Sequence, residues 1–561
     1  MASFKIIIFS LICLLCSTNY IHGYFSAEEK TQIYFLMHKN DVVEALEKYK
    51  ALSQKNHAHD FEALQQMSYI LLSQGIDNSE AEMRQASLFG AGLAGSSKSL
   101  NILQKGLTTQ DPYTQLIALH FIKNNFDTRS DDLLLRSMHS DFLMTRLEAA
   151  LILAQRKHYR AAGQIEALMH KLPVDYKPFF PSLFAALSTP ESNRMIKKML
   201  YDESLYVRIE SILATAHTQQ DELVANIRTK LAHSNIAELE ASVYALGLLH
   251  DNLSFEKIKS LLSASAVNVR VAAAKALYNL GDRRGKEFLL NLAKEKNLLA
   301  ISMLGEIPGS EDILASLLDE DLSIRVNAAA SLLRLKDPRC VPVLIEILLS
   351  DERDIALQPN FSLGRTILYW KLVTSSSQRK NDRLFDPNLS IHIKNHFLKQ
   401  TIDLQEKYFL KIADTVFTYN QNELVPTLIT LLENSQSVNS IKILKKFTNK
   451  LGSPLIRDYC NLALFRLKEE GDYEARITKW IEEKKDFPLI RLRPLVPFLI
   501  RFKDTNYQLT AEETSQLLIE TYLAVASRQN EKMITLLIDA IQTGKIMNRY
   551  VLAGLLLKAT E

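Results

Sequence analysis

Residues 321–349 read D-L-S-I-R-V-N-A-A-A-S-L-L-R-L-K-D-P-R-C-V-P-V-L-I-E-I-L-L, from Asp321 to Leu349. Ile324, Ala328, Leu332 and Leu335 recur at the three-to-four-residue spacing of one helix face, and Val341, Leu344, Ile345 and Leu348 repeat that pattern in a second helix. Asp337 and Pro338 part the two, because proline lacks the amide proton an interior helix position donates. The stretch predicts a helical hairpin.

Working outward, V-R or a close variant recurs at Arg146, Arg208, Arg270 and Arg325, the first three 62 residues apart, with Lys177 and Leu239 midway between them. A 31-residue step reaches back to Gln115 and Arg84, and shorter steps lead forward through Asn297 to Arg325, giving nine units. Two columns test this register. Three residues after the anchors stand Ser87, Ala118, Ala149, Phe180, Ser211, Ser242, Ala273, Ala300 and Ala328, all small except the phenylalanine. Seven after stand Ala91, Ile122, Leu153, Phe184, Thr215, Leu246, Leu277, Leu304 and Leu332. One hairpin cannot bury both of its apolar faces, so neighbours must stack. The expected fold is all-α: an α-solenoid, or superhelix, of stacked helical hairpins.

The Asp321–Leu349 stretch resembles the HEAT repeats, and within them is similar to the short phycobilisome-lyase-type HEAT-like variety; weaker copies extend the resemblance over about residues 80 to 350. The resemblance implies a protein-binding or scaffolding role. Carboxylates at Glu80, Asp111 and Asp321, four before their anchors, are expected to cap helix starts and to meet a basic residue one turn on. The Arg and Asp ladder thus reads as structure rather than as an anion site.

Length agrees with an open-ended array: at 561 residues the chain exceeds the ~250–300 at which single cores stop growing. Hydrophobic residues at 47% and charged residues at 23% exclude disordered and collagen-like classes. The balance of 67 Lys and Arg against 64 Asp and Glu predicts no nucleic-acid partner from bulk charge.

At the N-terminus, Lys5, the apolar run Ile6 to Cys16, polar Ser17 to Tyr20 and small Gly23 follow the order of a secretory signal peptide over residues 1–23. The run is too short to span a bilayer. An uncleaved anchor or a lipid on Cys16 are the alternatives, and the only routes to membrane contact. Beyond the leader only Cys340 and Cys460 remain, so no disulfide framework is expected.

Residues 24–79 read as an N-terminal helical cap, with K-N-D-V-V-E-A-L-E-K-Y-K-A-L at 39–52 similar to part of a tetratricopeptide repeat. The array occupies 80–350. Residues 351–390 read as an irregular insertion or linker, centred on Thr374 to Asn388, and 391–561 as a C-terminal helical region. Leu489 to Phe502, with Pro494 and Pro497, is either buried or partner-facing.

Five constellations could carry chemistry. G-A-G-L-A-G at Gly90, Gly92 and Gly95 has the dinucleotide-binding spacing but no strand before it, and reads as close helix packing and a turn. H-A-H-D at His57, His59 and Asp60 places two histidines on different sides of a helix with no third ligand nearby, and reads as a solvated loop or helix start. Cys340 stands at a helix start, where the dipole can activate a thiol, yet reads as buried or inert, and Cys460 reads as core. Lys442, Lys445, Lys446 and Lys450 form a basic stripe that reads as a solvated face. Lys286, Asn291 and Lys294 are candidates to face a concave binding strip.

No catalytic, cofactor-binding or metal residue is assigned, and no cofactor is expected. The expected function is that of an exported scaffold, periplasmic, in the cell envelope or secreted, holding a protein or extended peptide on its concave surface. The alternative is an enzyme or lyase-like cofactor-handling protein with a site near Cys340 or in the C-terminal helical region.

Overall fold

The computed structural model describes residues 25–125, 128–232, 235–350, 356–361, 368–373, 389–490, 509 and 511–561. The expected leader, the segment from Thr374 to Asn388 and most of Leu489–Phe502 lie outside these residues. The described fold is all-α, built of stacked helical hairpins. The departure from helix is one antiparallel pair of strands, Ala356–Phe361 and Leu368–Val373, with Ala356 opposite Val373. It falls inside the segment expected to be irregular. The run L-Y-W-K-L-V supplies the aromatic and branched side chains that strands favour.

The described helices form two compact units, one drawn from the described residues of 25–148, 470–490 and 509–561, the other from those of 149–469. In the second unit the first helices of successive hairpins, Leu205–His217, Ile236–Leu248, Val267–Asn279, Leu298–Leu304 and Leu322–Arg334, pack one against the next. The register read from the sequence holds at every unit. All nine residues three after the anchors, and all nine residues seven after, are fully buried. Small side chains in the first column let the helices approach closely.

A third column appears only in the backbone. Gly95, Lys157, Ser188, Gln219, His250, Gly281 and Lys336, each eleven residues after its anchor, have φ between 51° and 91°. A left-handed residue closes a helix by redirecting the chain. Five of these hairpin turns carry the conformation on a residue other than Gly or Asn: the stack imposes it. The second helix then starts on a cap, as where Asp282 accepts from the Arg284 amide at 3.0 Å and Asp337 from the Arg339 amide at 2.9 Å.

The expected role of the carboxylates before the anchors holds at one position in three. Asp111 accepts from the Tyr113 and Thr114 amides, but Glu80 and Asp321 make no side-chain cap. The anchor arginines do not rely on those carboxylates. Arg84 donates to the carbonyls of Asn78 and Ser79 at 2.9 and 2.7 Å, and Arg208 to those of Asp202 and Glu203 at 2.8 and 3.0 Å. The arginine thus binds the loop that delivers its own helix.

In the first unit the last helix, Ile546–Thr560, packs against Phe61–Ile76 and Ala81–Ala94. Glycine makes this possible at two points. A Cβ on Gly554 would stand 1.9 Å from the Gly90 carbonyl oxygen, and one on Gly90 would stand 2.2 Å from the Tyr550 carbonyl oxygen. The G-A-G-L-A-G run is therefore a backbone-to-backbone packing surface followed by the left-handed turn at Gly95. The N-terminal and C-terminal helices, expected as caps at either end of an array, share this unit.

Candidate protein-binding face

The edge of the second unit where each second helix hands over to the next first helix carries large apolar side chains in solvent. Val174, Tyr176 and Phe179 lie in the 3-10 turn Val174–Phe179, Tyr201 follows the helix Pro190–Met199, Tyr206 stands second in Leu205–His217, and Ile236 opens Ile236–Leu248. Tyr206 is 74% exposed, Ile236 56% and Tyr201 54%. The 3-10 turn packs on Leu205–His217, which packs on Ile236–Leu248, so the row runs across three consecutive hairpins. Single exposed apolar residues need no explanation, whereas a recurring row marks an interaction surface.

An ionic framework fixes the backbone beneath the row. Lys177 pairs with Asp202 at 2.5 Å. Arg208 reaches the buried Glu238 of the next hairpin with Nε at 3.0 Å and Nη2 at 3.0 Å from Oε2. Buried Lys230 lies 3.4 Å from the other Glu238 oxygen and places its ammonium 4.2 Å from the Tyr201 ring centre. Asn226 donates to the Tyr201 hydroxyl at 3.2 Å, and this bond holds the phenol below its usual pKa. Tyr201 is thus braced by Lys230 and Asn226 while much of its surface stays open. A pre-oriented aromatic loses little conformational entropy on binding.

The positions singled out in the sequence fare differently. Cys340 is fully buried, and burial pushes its thiol up to about 12, overriding the helix start. Cys460 is likewise buried, its thiol pushed up for the same reason. Neither offers a thiolate at neutral pH. His57 is exposed; His59 and Asp60 stand at a helix start, one of the two settings expected, but are buried rather than solvated, which corrects that part of the expectation. Asp60 caps the helix Phe61–Ile76 through the Ala63 amide at 2.9 Å, accepts from the Phe25 amide, and meets Lys30 at 3.2 Å. Its carboxylate is spent on structure.

The basic stripe is also largely spent. Lys445 pairs with Glu469 at 2.7 Å, Lys446 pairs with Asp414, and Lys450 donates to the Phe417 and Thr418 carbonyls, so the face expected to be solvated binds neighbouring hairpins. Lys286 donates to the Pro308 carbonyl at 2.7 Å, while Asn291 and Lys294 are exposed. Among the described residues no group of three or more His, Cys, Asp and Glu side chains is placed to hold a metal, and no helix is long and apolar enough to cross a membrane. Sequence reading missed the exposed row. Its signal was Tyr206, an aromatic two residues before an anchor.

Against known proteins, the family model described as PBS lyase HEAT-like repeat matches residues 269–295 and 324–350. The chain therefore carries HEAT-like repeats. No curated protein sequence matches it. Among solved structures, it is similar to the complex of CpcE and CpcF of phycocyanin lyase from Nostoc sp. PCC7120, at 15% identity and a TM-score of 0.25, over 44% of this chain and 92% of that one. It is also similar to the karyopherin Kap121p bound to the extreme C-terminus of the protein phosphatase Cdc14p, at 11% identity and a TM-score of 0.37, over 93% of this chain and 63% of that one. A third is Kap95p with RanGDP, at 13% identity and a TM-score of 0.32, over 89% and 80%.

Proposed function

We propose that this chain is an exported protein-binding scaffold that holds an extended segment of a partner along the row Tyr176, Phe179, Tyr201, Tyr206 and Ile236. The observation that carries the reading is that row, exposed over three hairpins whose ionic ladder is internally paired. Packed helices lie about 8–10 Å apart. A chain extended in the polyproline II conformation rises about 3.1 Å per residue with three residues per turn, so every third side chain of such a segment would meet the next hairpin. Aromatic residues supply most of the contact energy in interfaces of this kind. Support for export is the N-terminal order of Lys5, Ile6 to Cys16 and Gly23. The alternative of a cofactor-handling site near Cys340 would have to work without a thiolate there.

The test is a photoactivatable side chain placed at Tyr206 or Ile236 in the protein's own cells, with Leu451, 92% exposed on the same unit, as control. One dominant protein linked from Tyr206 and Ile236 and not from Leu451 is the expected result. Equal yields from all three positions, or none from any, would remove the reading.

A further inference from the structure

In the first unit, two kinds of contact hold the N-terminal helices to the C-terminal ones. The helix Ile546–Thr560 is seated by apolar packing and close backbone approach. The helix Glu531–Thr543 meets Val42–Asn56, and the turn after it, through a seam of polar pairs. Lys50 pairs with Asp539 and donates to Gln542, and Gln542 also reaches Glu47. At the centre of the seam lies His59.

His59 is buried, and both ring nitrogens are engaged. Nε2 lies 3.0 Å from Thr535 Oγ1 and 3.3 Å from the Glu531 carbonyl. The Thr535 hydroxyl already donates to that carbonyl, so both oxygens accept and the Nε2–H tautomer fits. Nδ1 lies 3.1 Å from Ser53 Oγ, whose hydroxyl donates to the Ala58 carbonyl, and 3.3 Å from the Tyr49 hydroxyl, from which it can accept. A neutral imidazole satisfies the site completely.

The charged groups around the ring do not reverse this preference. Glu531, mostly exposed, brings its carboxylate to 3.5 Å. From the other packed elements, Asp60 and Glu62 are both held by Lys30, and Lys50 and Asp539 hold each other. Burial outweighs the pull of Glu531 and holds His59 below its ordinary value. A histidine depressed in this way stabilises the seam fully at and above about pH 7, and that contribution is lost as pH falls below the unfolded value of about 6.5.

We propose that the seam is an acid-released clasp: protonation of His59 frees Val42–Asn56 from Glu531–Thr543 while Ile546–Thr560 stays seated. Histidine is the side chain whose ordinary charge change falls between about pH 5 and 8, so the clasp rests on His59. Release would uncover the faces of Val42–Asn56 and Glu531–Thr543 without unfolding the unit.

The test is amide hydrogen exchange on the full chain at pH 7.5 and 5.0, corrected for intrinsic rates. Protection in 42–56 and 531–543 is expected to fall by up to about tenfold for each unit by which His59 is depressed. Protection in 546–560 is expected to be unchanged. In His59→Gln the pH dependence of the seam disappears. In Glu531→Gln, an exposed change that removes the one carboxylate favouring the imidazolium, the loss at pH 5.0 deepens. An unchanged seam in the wild type, an undiminished effect in His59→Gln, or equal loss in 546–560 would each overturn the clasp.

Discussion

Arg208 and Glu238, thirty residues apart in sequence, form a two-pronged ion pair that joins consecutive hairpins, with Nε and Nη2 each 3.0 Å from Oε2. The same carboxylate faces Lys230 at 3.4 Å, and that lysine is almost wholly buried. One anion therefore compensates two cations. This asymmetry makes Glu238 the sensitive member of the cluster, since removing it strands two charges while removing either lysine or arginine strands none.

Glu238→Gln is expected to destabilise the second unit by about 3–5 kcal/mol, the usual cost of an uncompensated buried charge. Lys230→Met should cost far less, because Glu238 keeps Arg208. Urea titration followed by far-ultraviolet circular dichroism checks the ranking. A milder effect from Glu238→Gln than from Lys230→Met would contradict it.

Gly90→Val is expected to dislodge the last helix, since any side chain there meets the Tyr550 carbonyl. Overpacking costs about 1–3 kcal/mol even where a side chain can give, and here the obstacle is backbone. Limited proteolysis should then cleave ahead of residue 546 in the variant and not in the wild type. If the run instead held a dinucleotide, added nucleotide would protect the wild type further, and none is expected to.

Both Cys340 and Cys460 should resist thiol reagents in the native protein at pH 8. With Cys340 pushed up to about 12, only about one molecule in ten thousand carries its thiolate at that pH. Labelling should appear only in denaturant. Rapid native labelling of Cys340 would reopen the cofactor-handling alternative.

Asp337 caps the second helix of its hairpin and is held below its ordinary value, first by the Arg339 guanidinium and then by the Arg339 amide. Its contribution is present above the unfolded value of about 3.9 and is lost as pH falls through the lower folded value. Asp337→Ala should therefore cost about 1 kcal/mol at pH 7 and less as pH approaches 3. Denaturant midpoints of variant and wild type, compared at both pH values, decide it.

The hairpin, its period and its register follow from the sequence alone. Residues such as Ala273 and Leu277 are placed by local spacing on a helix, and the stack then buries every residue in both columns. Short-range periodicity survives any detail of how helices meet. Tertiary structure decided the rest. Whether Arg325 turns to Asp321 one turn away or to Glu346 across the hairpin depends on the offset between packed helices, and it pairs with Glu346. That Gly90 meets Gly554, or that His59 lies on Thr535, rests on contacts between residues more than four hundred apart, which leave no periodic trace. Burial governs Cys340 in the same way, because desolvation is a property of the packed neighbourhood and not of the residues beside it in the chain.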